Sequence, residues 1–139
     1  MYEDYLGKSI PKLGFGLMRL PMKGEEIDLE QSREMIDRFM KAGFTYFDTA
    51  YPYINGKSEI VAKDLIVSRY PRESFQLATK LPVWLVKKNE DCAKLFETQL
   101  ERTGAGYFDF YLLHSLNREN AEQMEKLGAW EFGVQMKEN

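Results

Sequence analysis

Three stretches of the chain end alike: FTYFD closes at Asp48, FQLATK at Lys80 and DFYLLH at His114. Each is a short, largely apolar run stopped by one ionisable side chain. Each is followed, after a short loop, by a helical pattern. A βα chain that puts Asp, Lys and His at consecutive strand ends gathers them on one face of a parallel sheet, the face on which α/β barrels keep their chemistry. Tyr53 lies five residues after Asp48, in the loop leaving that strand. A carboxylate, an ammonium, an imidazole and a phenol brought together this way are equipped for proton transfer beside a bound substrate.

Each of the four also has an ordinary reading. Lys80 could be a rim lysine whose stem lies along apolar surface, a Schiff-base nucleophile, or an ammonium that lowers the pKa of a neighbouring phenol. A strand-end carboxylate at Asp48 would keep the lysine charged, the reverse of what a Schiff-base lysine needs, and so argues for the third. Asp48-Thr49-Ala50 could be a helix-entry or Asx turn. Tyr53, among Pro52 and Asn55-Gly56, could be a half-buried loop aromatic. His114, the only histidine, could be a hydrogen-bonded core residue. The coincidence on three successive strands and one adjacent loop weighs for the joint reading over the single ones.

Four βα units at a spacing of about 30 residues can position these groups. Strands are expected at 13–17, 45–48, 75–79 and 108–113. Helices are expected at 28–42, 58–69, 89–103 and 118–137. In the first helix Leu29, Ile36, Phe39 and Met40 form one stripe, Asp28 is an N-cap with Gln31 three residues on, and Gly43 follows the end. Ser58 would cap the second helix, with Val61, Leu65 and Ile66 inward, and Pro71 ends it by disfavouring helical geometry at Tyr70. Cys92, Phe96, Leu100 and Thr103 share a face of the third, and Gly104 stops it. Ala121, Met124, Leu127 and Trp130 or Glu131 are in register in the fourth, which Gly128 and Gly133 weaken. The segment 10–20, with Pro11, Gly14 and Gly16, has room for a lead-in strand or hairpin before the first barrel strand. Alternating strands and helices imply a parallel sheet with right-handed crossovers. No linker or low-complexity tract divides the chain, so residues 1–139 are read as a single domain.

Composition narrows the function classes. The 19 basic and 22 acidic residues give a net charge of −3 with no block of one sign. Nothing in that balance calls for nucleic acid or a membrane surface. One cysteine, Cys92, excludes an intrachain disulfide and an all-Cys metal site, and one histidine excludes a His-rich site within the chain. The N-terminal MYEDYLGKSIPKLG lacks the apolar stretch of a secretory signal, and no run approaches the ~20 residues of a membrane span. A cytoplasmic location is the expectation.

With these residues in view, the sequence resembles the aldo-keto reductases. LGFGLMRLP near the first strand, GFTYFDTAYPYINGKSE across the second, LATKLP at the third and FDFYLLH at the fourth carry the likeness. It runs from about Lys12 to the C-terminus. GLMRLP, DTAYPYINGKSE and ATKLP look most like the bacterial subgroup that often carries an extra ferredoxin-type domain. The resemblance implies a (β/α)8 barrel of which this chain supplies a (βα)4 half. It places the family's catalytic tetrad on Asp48, Tyr53, Lys80 and His114, and its chemistry is carbonyl reduction by hydride from NADP(H). Tyr53 would be the general acid and Lys80 its electrostatic aid, with Asp48 holding Lys80 and His114 orienting the carbonyl oxygen. Gly16, Leu17 and Met18, with Asp48, would line the nicotinamide side.

The same resemblance marks what has no counterpart here. The family's fifth to eighth strands, which carry most of the pyrophosphate and adenosine contacts, are not in this sequence. G-F-G at Gly14 is too short for a dinucleotide fingerprint, and no iron–sulfur cluster is expected. Two expectations stand side by side: a reductase of a small carbonyl substrate, or an inactive half barrel that self-associates or takes its remaining strands from a partner chain. An open half barrel leaves two strand edges and an apolar face uncovered, which favours a homo-oligomer.

Overall fold

The computed structural model describes residues 7–139; the part of the N-terminal reading that rests on residues 1–6 lies outside them. The chain opens with β1 (Gly14–Gly16), then a hairpin of β2 (Met22–Lys23) and β3 (Glu26–Ile27), and α1 (Leu29–Lys41). Next come β4 (Tyr46–Asp48), the single turn α2 (Tyr53–Gly56), and α3 (Ser58–Ala62), which widens into a π-type stretch over Lys63–Val67. The chain ends with β5 (Gln76–Pro82), α4 (Asn89–Thr103), β6 (Phe110–His114), α5 (Ala121–Lys126) and α6 (Ala129–Glu138). The four long-range strands are parallel in the order β1-β4-β5-β6. This is the expected α/β arrangement, a partial barrel of four βα units.

Register decides which side chains meet. Gly16 stands opposite Asp48, Asp48 opposite Ala78, Lys80 opposite Leu112 and Pro82 opposite His114. Asp48, Lys80 and His114 therefore climb by two residues from strand to strand. An even offset keeps them on one face, and a constant stagger is what closes a sheet into a barrel. The opposite face is covered by helices. Phe47, Leu77, Leu17, Ile36, Phe39 and Ile66 belong to one cluster, while Leu81, Cys92, Met124, Ala129 and Phe132 belong to a second. On the inner face the Tyr46 and Phe110 rings pack at a tilt, 5.5 Å between centroids.

Several local expectations are corrected. The hairpin follows the first strand instead of preceding it. The buried stripe of α1 is Ser32, Ile36 and Phe39, with Leu29 half exposed, because the packed face starts one turn later. Asp28 does cap α1, accepting the Gln31 amide at 3.0 Å. Ser58 is not a cap: as the first residue of α3 its buried hydroxyl donates to the Leu17 carbonyl at 2.8 Å and lies 2.7 Å from the Thr49 hydroxyl. β5 runs two residues past Lys80. The last helix is two. Gly128 takes φ 73° between them, and the Asn89 amide donates to the Leu127 carbonyl at 2.8 Å. That break rotates Trp130 outward and turns Ala129 and Phe132 in.

Two glycines at helices should respond oppositely to alanine. Gly104, left-handed at φ 62°, ends α4, so Gly104→Ala is expected to lose about 1 kcal/mol or more in urea unfolding. Gly133 lies inside α6, and an added Cβ would meet nothing within 4 Å. Gly133→Ala is expected to gain ~0.5–1 kcal/mol.

Candidate active site

Asp48 ends β4, Lys80 lies in β5 and His114 ends β6, while Tyr53 opens α2 directly after Pro52. The structure brings the four together. Lys80 Nζ donates to both Asp48 carboxylate oxygens at 3.0 Å and to the Thr49 carbonyl at 2.8 Å. An ammonium has three protons, and here each has an acceptor. That environment suits a fixed cation; it offers nothing to a nucleophilic amine. The same nitrogen stands 4.7 Å from the centroid of the Tyr53 ring, over its face. The Tyr53 and His114 rings meet edge to face at 5.7 Å, and Trp84 packs edge to face against His114 at 5.1 Å.

His114 is held toward its neutral form. Burial pushes its pKa below the ordinary value, the Lys80 charge pushes the same way, and Asp48 opposes both. Its Nδ1 is buried without a hydrogen-bond partner among the described residues. A neutral imidazole carries one N–H donor and one lone-pair acceptor, and the buried Nδ1 leaves contact with any ligand to the other ring nitrogen.

Of the residues expected beside a nicotinamide, Gly16 lies opposite Asp48, and a Cβ there would meet open space. Met18 is half exposed. Leu17 is fully buried in the first cluster and so offers only backbone. Among the described residues no group of three or more His, Cys, Asp or Glu could hold a metal, and no helix is long and apolar enough to cross a membrane.

Behind the site lies a buried polar network that the sequence reading did not anticipate. Glu59, with no exposed surface, accepts the Thr79 hydroxyl at 2.6 Å and the Gln99 amide at 2.7 Å on Oε1. Its Oε2 faces Arg102 Nε at 3.3 Å, an ion pair without the alignment of a hydrogen bond. Gln99 also donates to the Lys80 carbonyl at 2.9 Å and accepts from the Tyr111 hydroxyl at 2.6 Å. Burial raises the Glu59 pKa, against the pull of Thr79, Gln99, Arg102 and Lys80. Burial, with the Glu59 charge second, pushes the Tyr111 phenol far up. A signal was present. Glu59 sits three and seven residues before Ala62 and Ile66 on the inward stripe of its helix, and Gln99 sits four before Thr103 on the inward face of α4.

A parallel βα sheet that gathers an acid, a cation, an imidazole and a phenol at one end has the architecture of a partial (β/α)8 barrel. The model of the Aldo/keto reductase family matches residues 12–132, and the chain belongs to that family. An aldo-keto reductase of Mycolicibacterium smegmatis is 29% identical over 89% of this chain and 42% of its own. An aldehyde reductase of Saccharomyces cerevisiae is 35% identical over 78% of this chain and 31% of its own. Among solved structures, an aldo-keto reductase of Klebsiella pneumoniae in complex with NADPH aligns with a TM-score of 0.65 at 27% identity, covering 87% of this chain and 42% of that one. An aldo-keto reductase of Pseudomonas aeruginosa shares the fold with a TM-score of 0.76 at 18% identity, over 93% of this chain and 50% of that one. The chain thus spans half or less of the length of these relatives.

The state of His114 is open to measurement. Its folded pKa lies below the ordinary 6.5, so just below that pH the unfolded chain binds more protons than the native one. Native stability is expected to be intact above ~6.5 and to fall as pH drops toward ~5, more steeply than in His114→Gln. Equal slopes for the two proteins in urea titrations across that range would show that the ring is not held neutral.

Proposed function

We propose that this chain carries the catalytic half of an NADP(H)-dependent reductase of aldehydes or ketones. The observation that carries the reading is the Lys80 ammonium, bound by Asp48 at 3.0 Å and standing 4.7 Å over the Tyr53 ring, with His114 against the same ring. When bound, the nicotinamide cofactor supplies hydride to the carbonyl carbon. The residues of this chain do the rest. As the carbonyl oxygen gains negative charge, the Tyr53 hydroxyl gives it a proton. Lys80 stabilises the phenolate left behind until solvent restores the proton. Asp48 holds Lys80 in place, and the His114 ring orients the substrate oxygen by a hydrogen bond. Gly16, Met18 and Asp48, with the Leu17 backbone, border the nicotinamide. The NADPH held by the Klebsiella relative supports the choice of cofactor, and the aldehyde reductase of yeast supports the substrate class.

A second reading has its own observation. Among the described residues β1 pairs only with β4, and β6 only with β5. A groove of about 1330 Å³ runs along β6, lined by Leu112, Leu113, Trp130, Val134 and Met136 among others. A second copy turned by 180° about the barrel axis would add its β1 to β6 and its β6 to β1, all parallel, making eight strands. On this reading the half barrel self-associates, and the cofactor site depends on the association.

Titration with NADPH followed by tryptophan fluorescence tests the first reading, since Trp84 touches His114. Saturable quenching at micromolar cofactor is expected; none up to millimolar concentration in folded protein would overturn cofactor binding by this chain. In preparations that bind, Tyr53→Phe is expected to cut turnover of a reactive aldehyde by roughly 10²–10⁴-fold with little change in thermal midpoint. Light scattering tests the second reading: a dimer that Leu112→Glu or Val134→Glu dissociates is expected, and a monodisperse native monomer would rule it out.

A further inference from the structure

The loop that presents Tyr53 is an improbable one. Ile54, Asn55 and Gly56 follow it in succession with φ of 51°, 52° and 81°. Left-handed backbone is unfavourable for a β-branched residue, and it persists only where the surroundings over-determine it. Two anchors are visible. The Ile54 side chain packs against the first hydrophobic cluster. The Arg102 guanidinium, from the last turn of α4, donates through Nη2 to the Tyr51 carbonyl at 3.1 Å and to the Gly56 carbonyl, the two ends of the segment. Its plane also covers the Tyr51 ring at 4.4 Å.

Arg102 is itself fixed from behind. Its Nε faces the fully buried Glu59, and the other oxygen of Glu59 is bound by Thr79 and Gln99. Gln99 holds the Lys80 carbonyl, and Thr79 precedes Lys80 on β5. One polar chain therefore links the backbone that carries the phenol to the backbone that carries the ammonium, on the side of the sheet away from substrate. A lysine at position 102 would offer one nitrogen where the guanidinium places two, Nη2 on the two carbonyls and Nε beside Glu59.

We propose that Arg102 is a positioning residue for Tyr53: anchored on Glu59, it clamps the Tyr51 and Gly56 carbonyls and fixes the left-handed loop that lays the phenol beside Lys80. The proposal rests on Tyr53 as proton donor for its consequence in catalysis, but the clamp itself is a matter of structure. A plain strut between α3 and α4 would look similar, yet its loss would loosen the whole domain evenly.

Hydrogen exchange separates the two. Arg102→Met alone would strand the Glu59 charge in the interior, so the test uses Arg102→Met with Glu59→Gln, which removes both charges together. Amides of residues 51 and 53–58 are expected to exchange roughly ten- to a hundredfold faster in the double variant, while those of β4 and β5 keep their protection. Unchanged loop exchange in a folded double variant, or equal acceleration everywhere, would overturn the clamp. If the double variant does not fold, the native chain decides. The Tyr53, Gly56 and Lys57 amides, bonded to the carbonyls of Ala50, Pro52 and Ile54, should then exchange at the rate of the last turn of α4. Exchange about tenfold faster or more would overturn the clamp. Where NADPH-dependent turnover is measurable, Arg102→Lys is expected to lower kcat with KM nearly unchanged. A rise in KM at constant kcat would instead mark Arg102 as a general support of binding. Loop loosening in a chain whose activity ignores Tyr53→Phe would uphold the clamp and remove the proposed reduction.

Discussion

Everything at the candidate site depends on an even stagger between parallel strands. Asp48 pairs with Ala78 and Lys80 with Leu112, so each ionisable group stands two residues beyond the one before it. Two residues is one pleat repeat. All three side chains stay on the inner face, at rising levels, within reach of a single phenol. A slip of one residue in any pair would turn Lys80 or His114 into the helical layer, where Phe96, Phe132 and Met124 have no use for a charge. The outward cluster therefore enforces the chemistry indirectly. Leu77, Leu81, Tyr111 and Leu113 must face the helices, and their alternates must then face the substrate.

Charge is handled differently on the two sides of that sheet. On the inner side Lys80 is compensated by Asp48 and a carbonyl, and Asp48 retains about a third of its exposure, so the pair is open to a ligand. On the outer side Glu59 is wholly buried, and its desolvation is offset only because Thr79, Gln99 and Arg102 converge on it. An apolar residue at position 59 would pack without that cost. What it could not do is hold a guanidinium against two carbonyls of a strained loop. The buried ion pair makes sense as a device for specificity of geometry in the loop that carries Tyr53, in a place where bulk stability would favour hydrocarbon.

How much of this was legible follows the range of the interactions. Short-range signals read well: the Asp28 cap and its Gln31 partner, Gly104 as the stop of α4, the Asn89–Thr103 helix itself, and Asp48 and His114 at the ends of their strands, whereas Lys80 lies two residues before the end of its own. The signals that misled were those settled by tertiary partners. Ser58 has the side chain of a cap, yet its hydroxyl is taken by Leu17 and Thr49 across the layer. Residues 118–137 carry a plausible helical stripe, yet the Asn89 amide on the Leu127 carbonyl and the left-handed Gly128 divide it. Glu59 and Gln99 were passed over because a polar residue on an inward stripe reads as noise until its partners, 20 and 40 residues away in sequence, are known.

The two kinds of incompleteness in this chain are unequal. Its two buried charge centres are compensated within the four βα units: the Lys80 ammonium has its acceptors, and the Glu59 carboxylate its donors and a counter-charge. Its apolar and edge requirements are not, since the inner face of β6 and the outer side of α6 leave Leu112, Trp130 and Val134 well exposed. Electrostatic preorganisation is short-ranged and can be complete in half a barrel, whereas closure of a sheet is a property of the whole ring. The four candidate groups can therefore be in place before anything closes over them. Closure then adds exclusion of water, which strengthens the interaction of Lys80 with a developing phenolate without moving any of the four residues. On the proposed reading, a second copy that closed the ring would supply walls and cofactor contacts and no catalytic group of its own.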